Sequence, residues 1–147
     1  MTGSFVADFV EGTALDLAGQ DIGVWKTDSP FAPGDVALVD QDMPPDPDDV
    51  ISLSGYVITA DPFLNNTTFG LRLRFRGAPN NRTTPTQRSG AAFDFLQGRR
   101  MVTVGGIHVA QYQWQGGGWI GQDQNLRWEY GDIYYVVANV PTANRLD

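Results

Sequence analysis

The stretch FGLRLRFRG (residues 69–77) alternates apolar and basic residues without a break. Successive side chains of a β-strand point to opposite faces. Phe69, Leu71, Leu73 and Phe75 therefore share one face, and Arg72, Arg74 and Arg76 share the other. The pattern predicts a half-buried strand with one face in a core. Same-face neighbours on a strand stand only about 7 Å apart. Three like charges in such a row call for a negative partner opposite, unless each is simply solvated.

Working outward, ISLSGYVIT (51–59) and VALVD (36–40) read as strands on the N-terminal side. Between them lies MPPDPDD (43–49), where three prolines remove donors and aspartates favour turns. It is expected to be a stiff surface loop. DIGVWKT (21–27) is a short apolar stretch, either strand or extended connection. Residues 4–18 predict a helix capped by Ser4, with Phe5, Phe9, Val10, Ala14, Leu15 and Ala18 at roughly helical spacing and Gly19 as the stop.

On the C-terminal side, APNNRTTPTQ (78–87) reads as a polar loop and RSGAAFDFLQG (88–98) as a helix. Its predicted apolar stripe is Ala91, Ala92, Phe95 and Leu96, with Thr84 or Thr86 as cap and Pro85 near the first turn. RMVTVGGIHVAQYQWQ (100–115) holds two strand runs broken by Gly105-Gly106, where a bulge or tight turn is expected. Gly116-Gly117-Gly118 is expected to be a flexible tip. IYYVVANV (133–140) is a strong strand ended by Pro141, and the tail TANRLD is expected to fray. The element order predicts an α+β fold over residues 1–147: one domain, a mostly antiparallel β-sheet with two helices packed on one face.

The 147 residues carry a net charge of -7, which argues against general nucleic-acid affinity. The charge is uneven. Residues 1–66 hold twelve acids and one base, Lys26; residues 67–147 hold nine arginines and five acids. Such a split suits contacts between copies of the chain or with partners of opposite sign. It is equally compatible with charges that mix on one folded surface. No apolar run reaches the roughly 18 residues needed to span a bilayer. The N-terminus carries acids where a signal peptide has a basic region, so no export by a cleaved signal is expected.

Little in the sequence points to catalysis. The one histidine, His108, sits in a strand run, where structural roles predominate. There is no cysteine, no G-x-S-x-G and no phosphate-binding glycine motif. Glu11 and Glu129 are the only glutamates, and nothing locates a cleft for a carboxylate pair. Asp40, Asp42, Asp46, Asp48 and Asp49 are dense enough to suggest a hard cation. The prolines and the missing terminal glutamate depart from a calcium-loop pattern, so no metal and no cofactor are expected. Trp114, Trp119, Trp128 and Tyr130, set among amides, leave open a carbohydrate-binding module. A subunit interface, where Trp, Tyr and Arg are enriched, also accounts for the arginine row and the charge split.

The chain resembles the tail-terminator or minor capsid proteins of siphophages that infect actinobacteria. The likeness lies in a set of stretches kept in order: GVW (23–25), MPPDPDDVISLSGY (43–56), DPFLNNTTFGLRLRFRG (61–77), AAFDFLQG (91–98), VGGIHVAQ (104–111) and GQDQNLRWEYGDIYYVVANVPTA (121–143). The resemblance implies a virion protein made in the host cytoplasm and placed at the head–tail junction. It implies an α+β subunit in a six-fold ring that caps the tail tube and meets head-completion proteins, with DNA passing through the hole without specific binding. It implies no enzyme activity, cofactor or membrane. A head-completion role in the neck is the sister alternative.

Each subunit of a ring uses two different patches. The arginine face (Arg72, Arg74, Arg76) is the expected first patch. The acidic loop, with Asp46, Asp48 and Asp49, is its expected complement on the neighbour. Arg127 and Trp128 are further interface candidates. A lumen-lining role for the arginines is the less favoured reading, because a basic lining grips phosphate. Charge reversal at Arg74 is expected to block assembly and leave the monomer folded.

Overall fold

The structure, a computed structural model, describes residues 4–26 and 29–141. Its elements are α1 (Phe5–Gly19), β1 (Val24–Trp25), β2 (Ala37–Asp40), β3 (Val50–Ala60), β4 (Asn66–Pro79), α2 (Thr83–Leu96), β5 (Arg100–Val104), β6 (Ile107–Gln122) and β7 (Arg127–Asn139). The strands form one seven-stranded sheet in the order β1-β2-β3-β4-β7-β6-β5.

Strand β4 lies near the centre, paired antiparallel to β3 on one side and β7 on the other. Phe69, Leu71, Leu73 and Phe75 are fully buried on one face, as their alternation predicts. Ile51 and Leu53 of β3 and Tyr134 and Val136 of β7 line up beside them. Both helices cover this face. Phe9 of α1 stacks on Phe69 at 5.0 Å, and Ser89 of α2 donates to Asp132 of β7. Helix α1 touches β1, β2 and β3 and also β5 and β6, which lie towards opposite ends of the strand order. The sheet must therefore curl around α1, with the helices on its concave side.

The sheet is mixed. The pairs β1-β2 and β2-β3 are parallel; the other pairs are antiparallel. Parallel neighbours need a crossover, usually longer than a hairpin. Here β2 has only four residues, so the return path is about 13 Å. Nine extended residues reach about 30 Å. The proline- and aspartate-rich segment 41–49 is thus long enough to be the crossover itself. Its Asp46–Pro47 peptide is cis.

Helix α1 begins where expected: the Ser4 hydroxyl accepts the Ala7 N–H at 3.2 Å. Its buried positions are Phe9, Val10, Gly12, Thr13, Ala14 and Leu17, while Leu15 is exposed. Helix α2 starts five residues before Arg88, within the stretch read as loop. Asn81 Oδ1 accepts the N–H groups of Thr83 and Thr84 at 2.9 and 3.0 Å, so an asparagine, not Thr84 or Thr86, caps the helix. Pro85 fits the first turn, where its missing N–H has no intrahelical role. Ala92 and Leu96 are buried; Ala91 is exposed.

The glycine run is not a tip. Gly116, Gly117 and Gly118 lie inside β6, opposite Ile133, Asp132 and Gly131. Gly117 is needed there because a Cβ would stand 2.2 Å from Asp132 Oδ1. The turn comes later, at residues 123–126. Asp123 Oδ1 accepts from Asn125 N and Arg127 N, both at 2.9 Å, and Leu126 takes φ +64. Gly105-Gly106 does form the expected turn, between β5 and β6. The segments 27–28 and 142–147, the latter being the whole TANRLD tail, lie outside the described residues.

Candidate functional site

The arginine row of β4 divides into three environments. Arg72 is exposed and has no ion pair among the described residues. Arg74 bonds Glu129, its register neighbour two residues along on β7, and Glu129 is itself nearly buried. Arg76 is 2% exposed. Its Nε donates to the Asp48 carbonyl at 3.0 Å, and its Nη2 donates to the carbonyls of Pro44 and Pro47, both at 2.7 Å. Burial first, then the nearby Arg127 charge, pull the Arg76 guanidinium below its ordinary pKa. It stays charged, as arginine does in proteins.

Arg127 grips the same loop. Its Nη1 donates to the Pro45 carbonyl at 2.7 Å and to Asp48 Oδ1 at 3.2 Å, and its Nε to Asp123 Oδ2 at 2.9 Å. Desolvation pushes the Asp123 carboxyl up. Hydrogen bonds from Arg127 and Asn125 outweigh that and hold it below the usual aspartate value. Asp49 pairs with Arg88 of α2 at 2.7 Å, and Asp46 is exposed. The acidic loop thus meets basic residues of its own chain. The loop's carbonyls, more than its carboxylates, take up the buried guanidinium donors. Among the described residues no three acids or histidines converge as metal ligands, and His108 is exposed on β6.

This geometry changes the meaning of an Arg74 substitution. Glutamate at 74 would face the nearly buried Glu129, so charge reversal there would unsettle the folded monomer as well as any contact. Arg72 is the position on this row where charge can be reversed without that effect.

The aromatic cluster is also engaged internally. The Arg82 guanidinium lies 4.7 Å from the Trp119 ring and 4.6 Å from the Trp128 ring. Trp119 meets Trp128 and Tyr130 edge-on at 5.7 and 5.2 Å. Trp114 donates its indole N–H to Asp132 and meets Phe93 edge-on. Rings that stack on sugars need an uncovered face. Here a guanidinium already sits over two of them, held by cation–π attraction of about 0.5–1 kcal/mol each at an exposed site.

What composition did not single out is the outer, convex face of the sheet. By register, Tyr56 of β3, Gly70 and Arg72 of β4, and Ile133, Tyr135 and Val137 of β7 share it. The Tyr56 ring lies over Gly70, where a Cβ would come within 2.2 Å of it. Ile133, Tyr135 and Val137 are each more than a third exposed, and no helix covers them. The signal was present in IYYVVANV, which is apolar on both faces. In a sheet covered by helices on one side only, such a strand must show apolar side chains to the outside.

Two buried phenols make the fold sensitive to alkali. Burial pushes Tyr112 up to about 12, against an opposing hydrogen bond with Thr13. Burial, then the charge of Asp132, pushes Tyr134 up further; its hydroxyl has no hydrogen-bond partner among the described residues. Both protons are held more tightly in the folded chain than at an ordinary tyrosine value of about 10. The stability they contribute is complete below pH about 10 and is lost as pH rises towards about 12. The thermal midpoint is expected to fall over that window. Tyr134→Phe should leave the neutral-pH midpoint nearly unchanged and make the alkaline fall shallower. An identical fall in the variant would show that Tyr134 plays no part in it.

No helix among the described residues is long and apolar enough to cross a membrane. No family model matches the chain. No curated protein matches it either. Among solved structures, the chain is similar to a chain from the virion of a native gene transfer agent (GTA) particle. The TM-score is 0.57 and the identity 13%, over 69% of this chain and 78% of that one, so the likeness is one of fold.

Proposed function

We propose that the chain is a structural protein of a phage-like particle, a tail terminator whose copies close into a ring, six-fold by the family resemblance, on the head-proximal end of the tail tube. The observation that carries this reading is the fold it shares with a chain of a virion particle. The ordered set of sequence stretches described above supports it from a separate direction. The proposed partners are further copies of the chain, the tube protein below and the head-completion protein above. DNA would pass through the hole without being held. The neck role is the nearby alternative. The sugar-binding reading loses its main support, because the Trp119 and Trp128 rings are already covered by Arg82.

A cap that binds the growing end of a tube stops its growth. Purified chain added to polymerising tube protein is expected to give short tubes bearing a ring at one end in negative-stain electron microscopy. Tubes of unchanged length with bare ends would count against the terminator role. Decoration of head connectors instead would favour the neck.

A further inference from the structure

We infer that the outer sheet face of one copy docks on the exposed side of α1 of the next, with Arg72 entering an acidic socket there. This rests on the ring reading and names its contact. The sheet face offers an apolar strip, Ile133, Tyr135 and Val137, with the unpaired Arg72 directly beside Ile133 in register. The strip spans about 14 Å at the rise of a strand.

The socket is built from α1 and the β5–β6 turn. It has a volume of about 220 Å³ and is lined by Asp8, Glu11, Gly12, Leu15, Asp16 and Gly105. Its floor is low because the two glycine backbones touch: a Cβ on Gly12 would stand 2.3 Å from Gly105 N. Asp16 is held by Arg99 at 2.7 Å, whereas Asp8 and Glu11 have no ion pair among the described residues. Leu15, 51% exposed, adds an apolar contact beside the acids. From Asp8 to Leu15 the helix rises about 10 Å, similar to the strip.

A second copy is the occupant that these surfaces fit. Among the described residues, the strip is apolar with one free cation, and the socket side sets Leu15 beside two free anions. The socket lies on the helix side of the sheet and the strip on the other side, so one copy presents both at once. That is the requirement of a head-to-tail contact, which closes into a ring when the rotation per copy allows. Arginine and tyrosine at such a contact are the residue types that most often carry binding energy.

The test is a charge exchange read by assembly on tail tubes, with ring occupancy counted by electron microscopy. Arg72→Glu and Glu11→Arg should each reduce occupancy at least tenfold at a concentration where the wild-type chain saturates. The double variant Arg72→Glu/Glu11→Arg should recover most of it. Both positions are exposed, so each monomer should keep the wild-type thermal midpoint. If the wild-type chain assembles and Arg72→Glu assembles equally well, the contact is wrong and the ring reading stands. If both single variants fail but the double is no better, Arg72 and Glu11 do not meet and the inference is overturned. If the wild-type chain forms no ring on tubes, the ring reading itself falls, and this contact with it.

Discussion

Replacing Arg76 with methionine is expected to cost about 3 kcal/mol of stability, although the residue sits in a strand whose other arginines are accessible. Its guanidinium serves the backbone carbonyls of Pro44, Pro47 and Asp48, and its side chain is 2% exposed. Prolines have no N–H, so segment 43–49 cannot tie itself down by the usual backbone ladder. Two arginines from the sheet, Arg76 and Arg127, supply the missing donors. Removing one donor group leaves buried acceptors unsatisfied, at about 1–3 kcal/mol each. Part of that is recovered as the loop lifts into water. Chemical denaturation should show the loss, and limited proteolysis should show cleavage within 41–49. The control is Arg72→Met, exposed on the same strand face, which should change stability by less than about 0.5 kcal/mol. Equal and small effects at the two positions would mean that Arg76 does not hold the loop.

A loss of similar size is expected at Gly105, where helix and hairpin touch backbone to backbone. Its φ is +57, and a Cβ would stand 1.9 Å from the Asp8 carbonyl oxygen. Gly105→Ala must therefore bear the left-handed backbone cost of about 1 kcal/mol and an overpacking cost of about 1–3 kcal/mol. The neighbouring Gly106 separates the two terms. It also has positive φ, +79, but nothing lies within 4 Å of its Cβ position. Gly106→Ala should show the backbone cost alone. Should the two variants lose the same stability, the close approach of α1 to this turn contributes nothing. Because the same approach forms the floor of the proposed socket, Gly105→Ala should also weaken assembly at temperatures where the monomer remains folded.

The assembly reading gains from the separation between these two sets of residues. Arg76, Arg127 and Asp123 are occupied in making the monomer. Arg72, Tyr135, Glu11 and Leu15 are exposed, and the monomer makes little visible use of their outer surfaces. A sheet whose outer face is covered only at one end, by segment 43–49 over Arg76, must find a partner for the rest of that apolar face or leave it in water. An apolar strip set beside free charge is the composition expected of a contact that forms after folding.

The sequence by itself determined the two faces of β4, because strict alternation permits no other reading of Phe69, Leu71, Leu73 and Phe75. It determined the start of α1 through Ser4, and the β5–β6 turn through two adjacent glycines, each a local signal with a local cause. It also determined the α+β class with two helices on one side. The remaining features depended on contacts between distant segments. The start of α2 was missed because Asn81, Thr83, Thr84 and Pro85 are weak helix formers that become favourable only as a cap and first turn. Gly116–Gly118 are extended because they pair with Ile133, Asp132 and Gly131 of β7, and 117 must be glycine because Asp132 fills the space that a side chain would need. The parallel edge came from the shortness of β2, which lets segment 41–49 cross back. The spacing of the arginine row calls either for negative partners or for solvation, and it cannot say which applies to each arginine or on whose chain a partner lies. Tertiary structure decided that Arg74 and Arg76 are satisfied within the chain and that Arg72 is left free. The physical reason is that alternation fixes which way a side chain points, while only the folded sheet fixes what stands in front of it.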